Sequence, residues 1–188
     1  MAEMGITRDQ AFALLEEHLK NENLKRHCLA TEAIMIALAR RFGQDETLWG
    51  VTGLLHDLDL DIVGPDMNAH GLKTAEILRA KGVSEEIVKT ILSHNEAVAP
   101  PRSSVFEHAL AAAETITGLI VATALVYPDK KVASEKPSSV VKRMKEKGFA
   151  RSASRENIME CEKIGLTLPE FVEVSLGAMK EIADQIGL

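Results

Sequence analysis

A chain of 188 residues is long enough to bury one sizeable core, and this length predicts a single domain over residues 1–188. The composition is 46% hydrophobic and 27% charged but only 4% aromatic, which excludes a disordered chain and favours helix over strand. We therefore expect an all-α fold, and the net charge of −6 argues against general nucleic-acid binding.

Two helices are predicted at the start of the chain. The first covers about 7–21, with Thr7 as its N-cap, and the second covers about 22–41 and is ended by Gly43. His27 lies on the apolar stripe of the second helix, so its side chain is expected to point inward. No basic region followed by an apolar core is found near the N-terminus, so we expect no signal peptide.

The third predicted helix carries an adjacent imidazole and carboxylate. It covers about 45–58, and His56 and Asp57 lie beside its apolar stripe near the C-terminal end. Both groups are good ligands for a divalent transition metal, and both are costly to bury without a partner. The acidic, turn-rich residues 59–66 that follow predict a loop.

The fourth and fifth predicted helices each contribute a further histidine. Asn68 is expected to cap the fourth helix, with Met67 and Leu72 as a hydrophobic staple, which places His70 in the first turn. The fifth helix is expected to end at His94.

The sixth predicted helix, about 103–126, is almost entirely apolar. Its residues 109–127 hold one charge, Glu114, in a stretch nearly long enough to span a membrane, but a buried core helix explains the pattern better. The stripe with helical spacing that includes Glu114 predicts that this carboxylate lies on the most buried face. That stripe consists of Leu110, Glu114, Gly118, Val121 and Leu125.

The remainder forms a C-terminal extension over 129–188, beyond a core at about 24–124. Residues 129–155 hold nine basic and three acidic side chains, a local excess of positive charge. Two further helices are predicted, at about 155–164 and 170–186. Cys28 and Cys161 lie inside helical patterns without close spacing, which indicates buried, reduced thiols in a cytoplasmic protein.

Together the inward-facing histidines and carboxylates form a set that suits a metal site with one or two ions. A single inward histidine is more often a hydrogen-bonded core residue, but the joint occurrence favours metal binding. Mixed nitrogen and oxygen donors without thiolate suit iron, manganese, zinc, nickel or cobalt. The set is His27, His56, Asp57, His70, His94 and Glu114.

The order of these residues, with His56-Asp57 and then His70-Gly71, resembles the HD-domain superfamily of metal-dependent phosphohydrolases, in its HDIG branch. The resemblance covers about 24–124 and implies an all-α fold. It implies one metal held by His27, His56, Asp57 and Glu114. Where a second metal is present, Asp57 bridges and the ligands His70 and His94 complete the second site. Glu114 stands where the family usually has Asp.

The resemblance implies a phosphomonoesterase or phosphodiesterase that uses a metal-activated water on a nucleotide or another small phosphoester. His56 and Asp57 would be catalytic, with Asp57 both ligand and proton acceptor. Lys130, Lys131 and Arg102 are candidate substrate contacts, because cationic side chains bind phosphate. Two alternatives are an HD-type diiron oxygenase and a non-catalytic nucleotide-binding module; a membrane partner is not expected.

Overall fold

The computed structural model describes residues 4–188, and within this range the chain forms helices and turns but no strand. The all-α prediction is confirmed. Two short 3-10 segments, Val132–Ser134 and Glu160–Ile164, accompany the α-helices. The α-helices are α1 (Arg8–His18), α2 (Glu22–Phe42), α3 (Glu46–Leu55), α4 (Leu60–Val63), α5 (Leu72–Ala80), α6 (Glu85–Ser93), α7 (Val105–Ala124), α8 (Pro137–Met144), α9 (Arg155–Met159), α10 (Leu168–Glu181) and α11 (Ala183–Ile186).

Capping boxes define the starts of three helices. Thr7, Ser104 and Thr167 each accept from the backbone N–H three residues on, and the side chain of that third residue accepts from the cap's own N–H. These contacts satisfy N–H groups that have no partner inside the helix. Gly43, with φ 64°, ends α2 as predicted, because glycine adopts the left-handed conformation without steric penalty.

Helices α2, α3 and α7 form the centre of the fold. The helix α2 packs against α3, α7 and α10, while α7 also contacts α6, α8 and α9. Gly53 allows α2 and α3 to approach closely, since a Cβ placed there would lie 2.9 Å from the Thr31 carbonyl oxygen. This contact brings the N-terminal part of α2 near the end of α3.

By length and composition, α7 could cross a membrane. An 18-residue window within it has a mean hydropathy of 1.4, but 61% of that window is buried inside the fold. Its apolar residues therefore have a ready explanation as core. Cys28 and Cys161 are free and buried, which confirms the prediction of buried thiols.

Two predicted helix boundaries are wrong. Helix α3 ends at Leu55, and part of the expected loop 59–66 forms the short helix α4. Asn68 caps no helix, because α5 begins only at Leu72. The residues of the expected staple, Met67 and Leu72, are 50% and 47% exposed.

The prediction for the buried face of α7 is also wrong. Gly118 and Leu125 are exposed, while Glu114 and Val121 are half-buried. The stripe that carries Glu114 faces cavities that α2 and the C-terminal extension border. The opposite, alanine-rich faces of α7 instead supply the fully buried contacts.

Candidate metal centre

Four histidines reach one site from four separate segments. His27 lies in the second turn of α2, and His56 is the residue at which α3 ends. His70 lies in the turn before α5, and His94 terminates α6. The four imidazole rings therefore come together only through the tertiary packing of these segments.

In each ring the Nδ1 atom faces an acceptor. The Gly53 carbonyl oxygen lies 2.8 Å from Nδ1 of His56, and the Ile91 carbonyl oxygen accepts from Nδ1 of His94. Nδ1 of His70 lies 2.8 Å from a carboxylate oxygen of Asp59. A carbonyl or carboxylate oxygen only accepts, so these Nδ1 atoms carry the proton.

His27 reaches the same tautomer through a hydroxyl group. The Thr117 hydroxyl donates to the Glu114 carbonyl oxygen at 2.6 Å and therefore accepts from Nδ1 of His27 at 2.8 Å. All four rings consequently turn Nε2 toward the centre of the site. Carbonyl, carboxylate and hydroxyl contacts of this kind are typical of histidines that hold a metal.

The four Nε2 atoms converge on Asp57. Its Oδ2 lies 3.3 Å from Nε2 of both His27 and His56. Its Oδ1 lies 3.3 Å from Nε2 of His70 and 3.5 Å from Nε2 of His94. Each carboxylate oxygen thus serves one pair of imidazoles.

This donor set fits a bound cation. Nε2 of His27 lies 3.1 Å from that of His56, and the corresponding distance from His70 to His94 is 2.8 Å. At such a distance only one of the two Nε2 atoms in each pair can carry a proton. The other Nε2 atom therefore has a free lone pair that can bind a cation. Two ligands bound to one metal at about 2.1 Å are about 3.0–3.4 Å apart, close to the observed separations. Two groups meet these spacings, His27–His56–Asp57 and Asp57–His70–His94.

The pKa shifts keep Asp57 ionised and favour positive charge on His70 but not on His56. Burial would raise the pKa of Asp57, but the adjacent His56, His27 and His70 hold it well below its usual range. Burial lowers the pKa of His56, which stays neutral. For His70, burial is outweighed by Asp57 and Asp59, which raise its pKa to about 9.

Asp59 also belongs to the site, although its sequence context predicted a loop. It is fully buried and accepts from the backbone N–H of Gly71 at 2.7 Å and of Thr74 at 3.0 Å, as well as from His70. Burial would raise the pKa of Asp59, but these donors lower it, so the group is ionised. Asp59 follows Asp57 by only two residues in the sequence, and this closeness could have indicated that it belongs to the site.

Asn95 and Thr117 are two further residues of the site that were not predicted. The Asn95 side-chain amide donates to the His70 carbonyl oxygen at 2.9 Å and to the Met67 carbonyl oxygen at 2.7 Å, which fixes the turn before α5. Thr117 orients His27. Both residues touch a candidate ligand rather than a metal, and nothing in their spacing marked them.

Glu114 lies beside the site without joining either three-residue group. Its carboxylate accepts from the Thr115 hydroxyl and contributes to the raised pKa of His27, in which burial is outweighed by Asp57 and Glu114. It lines a cavity of about 250 Å³ together with His27. Its role as a ligand stays a prediction.

Of the three candidate substrate contacts, Arg102 touches the site, because its Nη2 donates to the His94 carbonyl oxygen at 3.3 Å. Arg102 has a side chain that is only 4% exposed and pairs with Glu96 at 2.8 Å and with Glu160 at 3.7 Å. Its two Nη atoms are therefore paired, while its buried Nε has no hydrogen-bond partner among residues 4–188. Lys130 and Lys131 are exposed beyond the end of α7 and line neither of the two cavities that His27 borders.

The fold and the site define an all-helical protein with histidine and aspartate groups able to hold a divalent metal. Residues 24–124 match the HD domain, more than half of the chain, and the chain therefore belongs to the HD domain family. Proteins of this family are generally metal-dependent hydrolases.

One curated relative is Ribonuclease Y of Oleidesulfovibrio alaskensis (strain ATCC BAA-1058 / DSM 17464 / G20). The two are 31% identical over 88 residues, which are 45% of this chain and 16% of the relative. The chain thus spans a small part of that relative's length. No solved structure matches the chain.

Proposed function

We propose that this chain is a metal-dependent phosphohydrolase that cleaves a small phosphoester, such as a nucleotide, as a phosphomonoesterase or phosphodiesterase. The observation that supports this most strongly is the position of Asp57, whose two oxygens each face a pair of histidine Nε2 atoms. A carboxylate placed in this way suits a bridge between two cations.

The residues would hold the metals as two sets that share Asp57, with Glu114 beside His27. When bound, the metals supply a water of lowered pKa and positive charge next to the phosphoryl oxygens. The Nδ1 contacts keep each imidazole from rotating, so the ligands are positioned before binding. Because the pKa of Asp57 is held well below its usual range by His56, His27 and His70 despite burial, this group is a poor proton acceptor. We therefore favour its role as ligand.

Substrate would approach from the side of α7, where His27 and Glu114 border a cavity of about 250 Å³. The name of the relative denotes an enzyme that acts on RNA. Short RNA therefore belongs in a substrate screen beside mononucleotides and simple phosphate esters. Arg102 stays a candidate substrate contact in this proposal; its guanidinium pairs with Glu96 and Glu160 and touches His94.

The test is metal analysis of protein purified without chelators, followed by assays of phosphate release with iron, manganese, zinc, nickel and cobalt. We expect one or two ions per chain and hydrolysis of a phosphoester. His56→Ala should lose hydrolysis and hold less metal than wild type, since His56 contacts His27 and Asp57 while Asp57, His70 and His94 remain. The matched control is His18→Ala, on α1 and outside the site, which should retain both.

Two results would contradict the proposal. Wild-type protein without transition metal would remove its basis, as would full hydrolysis by His56→Ala. Oxygen uptake by the ferrous protein, without phosphate release, would favour the oxygenase instead.

A further inference from the structure

A segment of the C-terminal extension closes one side of the candidate metal centre. The cavity of about 250 Å³ has His27 and Glu114 on one wall and Ser152, Ser154 and Asn157 on the other. These last residues lie outside the part of the chain that matches the HD domain, residues 24–124. The extension thus adds polar groups that the matched part does not supply.

This segment is held in place by one partly buried interaction network. The Arg155 guanidinium donates to the carbonyl oxygens of Phe149 at 2.6 Å, Ala153 at 2.7 Å and Ala150 at 3.0 Å. It also donates to three carbonyl oxygens at the end of α8 and just beyond it. The backbone of the segment therefore folds around a single cationic side chain, which fixes the wall of the cavity before substrate arrives.

Hydrogen-bond donors on this wall are available to a ligand. Within residues 4–188, neither the Ser152 hydroxyl nor the Asn157 side-chain amide has a hydrogen-bond partner. The Asn157 backbone N–H, in contrast, donates to the Ser154 hydroxyl at 3.2 Å. Hydroxyl and amide groups are common donors to phosphoryl oxygens.

A second cavity of about 500 Å³ adjoins the first and has a different character. The two share His27, Thr117 and Gly118, so they meet along one face of α7. The wall of the larger cavity is mainly apolar, with Asn23 and Arg26 among its polar residues. Its apolar residues include Ala30, Val121, Ala122, Leu125 and Met179. Apolar walls of this kind suit the organic part of a small ligand.

We propose that the two cavities are two parts of one substrate site, which accepts a phosphate ester with a bulky, largely apolar organic group. Ser152 and Asn157 donate to the phosphoryl oxygens in the smaller cavity, and the larger cavity takes the organic group beside Val121 and Ala122. This inference rests on the proposed function, because Glu114 would repel a phosphate unless a bound cation offsets its charge.

The test uses two probes that are not hydrolysed as esters, inorganic phosphate and phenylphosphonate, titrated calorimetrically into metal-loaded full-length protein. Both should bind only with metal present, and phenylphosphonate should bind about 10-fold more tightly because its ring enters the larger cavity. Ser152→Ala and Asn157→Ala should each weaken both probes by about 5–50-fold.

A substitution in the other cavity separates the two parts. Ala122→Leu fills the apolar cavity, so it should abolish the advantage of phenylphosphonate and leave inorganic phosphate binding unchanged. Ser138→Ala, an exposed serine at the start of α8, is the matched control and should change neither affinity. Metal content and the melting temperature of every variant are measured alongside, so a misfolded variant is recognised.

The outcomes distinguish this inference from the proposed function. Wild-type protein that holds no metal and hydrolyses no phosphoester contradicts the proposed function. Metal-loaded, active protein in which both Ser152→Ala and Asn157→Ala bind the probes as wild type does overturns the inference alone. If Ala122→Leu weakened the binding of both probes equally, the assignment of phosphate and organic group to separate cavities would be overturned.

Discussion

The Asp59 carboxylate accepts three hydrogen bonds beside the candidate metal centre, from Nδ1 of His70 and from two backbone N–H groups. It is fully buried, so a substitution would leave these donors without a partner. We expect Asp59→Asn to lower metal affinity on the His70 and His94 side by about 10–100-fold. The free energy of unfolding should fall by about 1–3 kcal/mol.

Metal titration and urea denaturation measure these two effects. Asp66→Asn provides the control, since Asp66 is an exposed residue in the same stretch whose carboxylate, among residues 4–188, accepts only from the Asn68 backbone N–H, at 3.0 Å. The control should match wild type in both measurements. Unaltered metal affinity in Asp59→Asn would show that Asp59 does not orient His70.

Glu135 is a buried carboxylate for which the described chain provides no hydrogen-bond partner. The residue is 1% exposed, and Lys180 donates to its backbone carbonyl oxygen at 2.8 Å rather than to the carboxylate. Burial raises the pKa of Glu135 to about 8, although Lys180 opposes the shift. The folded protein thus holds a proton that the unfolded chain has already released.

The contribution of Glu135 to stability should therefore be largest at acidic pH and fall as the pH rises from about 4.5, the ordinary glutamate value, through about 8. Glu135→Gln cannot ionise, so it should flatten this profile and be more stable than wild type at pH 8 by about 1–4 kcal/mol. Urea denaturation between pH 5 and pH 8 measures the effect, with the exposed Glu173→Gln as control. Parallel profiles for wild type and Glu135→Gln would refute it.

Among the elements, the α2–α3 contact positions His27 against His56. A Cβ at Gly53 would lie 2.9 Å from the Thr31 carbonyl oxygen and 3.0 Å from the Met35 side chain, so Gly53→Ala must push the two helices apart. We expect a loss of about 1–3 kcal/mol in the free energy of unfolding, together with weaker metal binding.

A glycine in α10 gives the matched comparison. A Cβ added at Gly177 would meet no neighbouring atom within 4 Å, so Gly177→Ala should stabilise the helix by about 0.5–1 kcal/mol. Urea denaturation of both variants checks the pair. Equal stability of Gly53→Ala and wild type would mean that the close approach of α2 and α3 is not required.

Helix ends set by local contacts were predictable, and those set by tertiary contacts were not. The capping boxes at Thr7 and Thr167 involve residues three apart, so the sequence alone indicates them. The start of α5 instead depends on Gly71, whose φ of 85° and N–H contact to Asp59 require a partner twelve residues away. Asn68 therefore looked like a cap, although it caps no helix.

The same distinction applies to the site. His56 and Asp57 stood out because two polar groups in an apolar helix need a reason to be there. Thr117 and Asn95 support the site through tertiary contacts with His27 and His70. The spacing of residues in the sequence does not reveal such contacts. The face of α7 was misjudged because apolar residues also line cavities, as Val121 does.

For the molecule as a whole, a metal would tie together segments that lie far apart in the sequence. The ligands of the two three-residue groups span His27 to His94 and come from α2, the end of α3, the turn before α5 and the end of α6. Metal that binds the folded chain in preference to the unfolded one stabilises it by about 2.7 kcal/mol at 100 times the dissociation constant. For a chain of this length, that corresponds to about 5–11 °C in melting temperature.

Calorimetry of metal-loaded and chelator-treated protein should therefore show a lower melting temperature after chelation, restored when the metal is added back. In His56→Ala, chelation should lower the melting temperature by less than in wild type, because the set around His27 and Asp57 is broken while Asp57, His70 and His94 remain. His18→Ala should respond as wild type does. The change in melting temperature on chelation also tests whether bound metal couples the four segments that carry the ligands. If chelation leaves wild-type melting unchanged, the convergence on Asp57 serves packing alone.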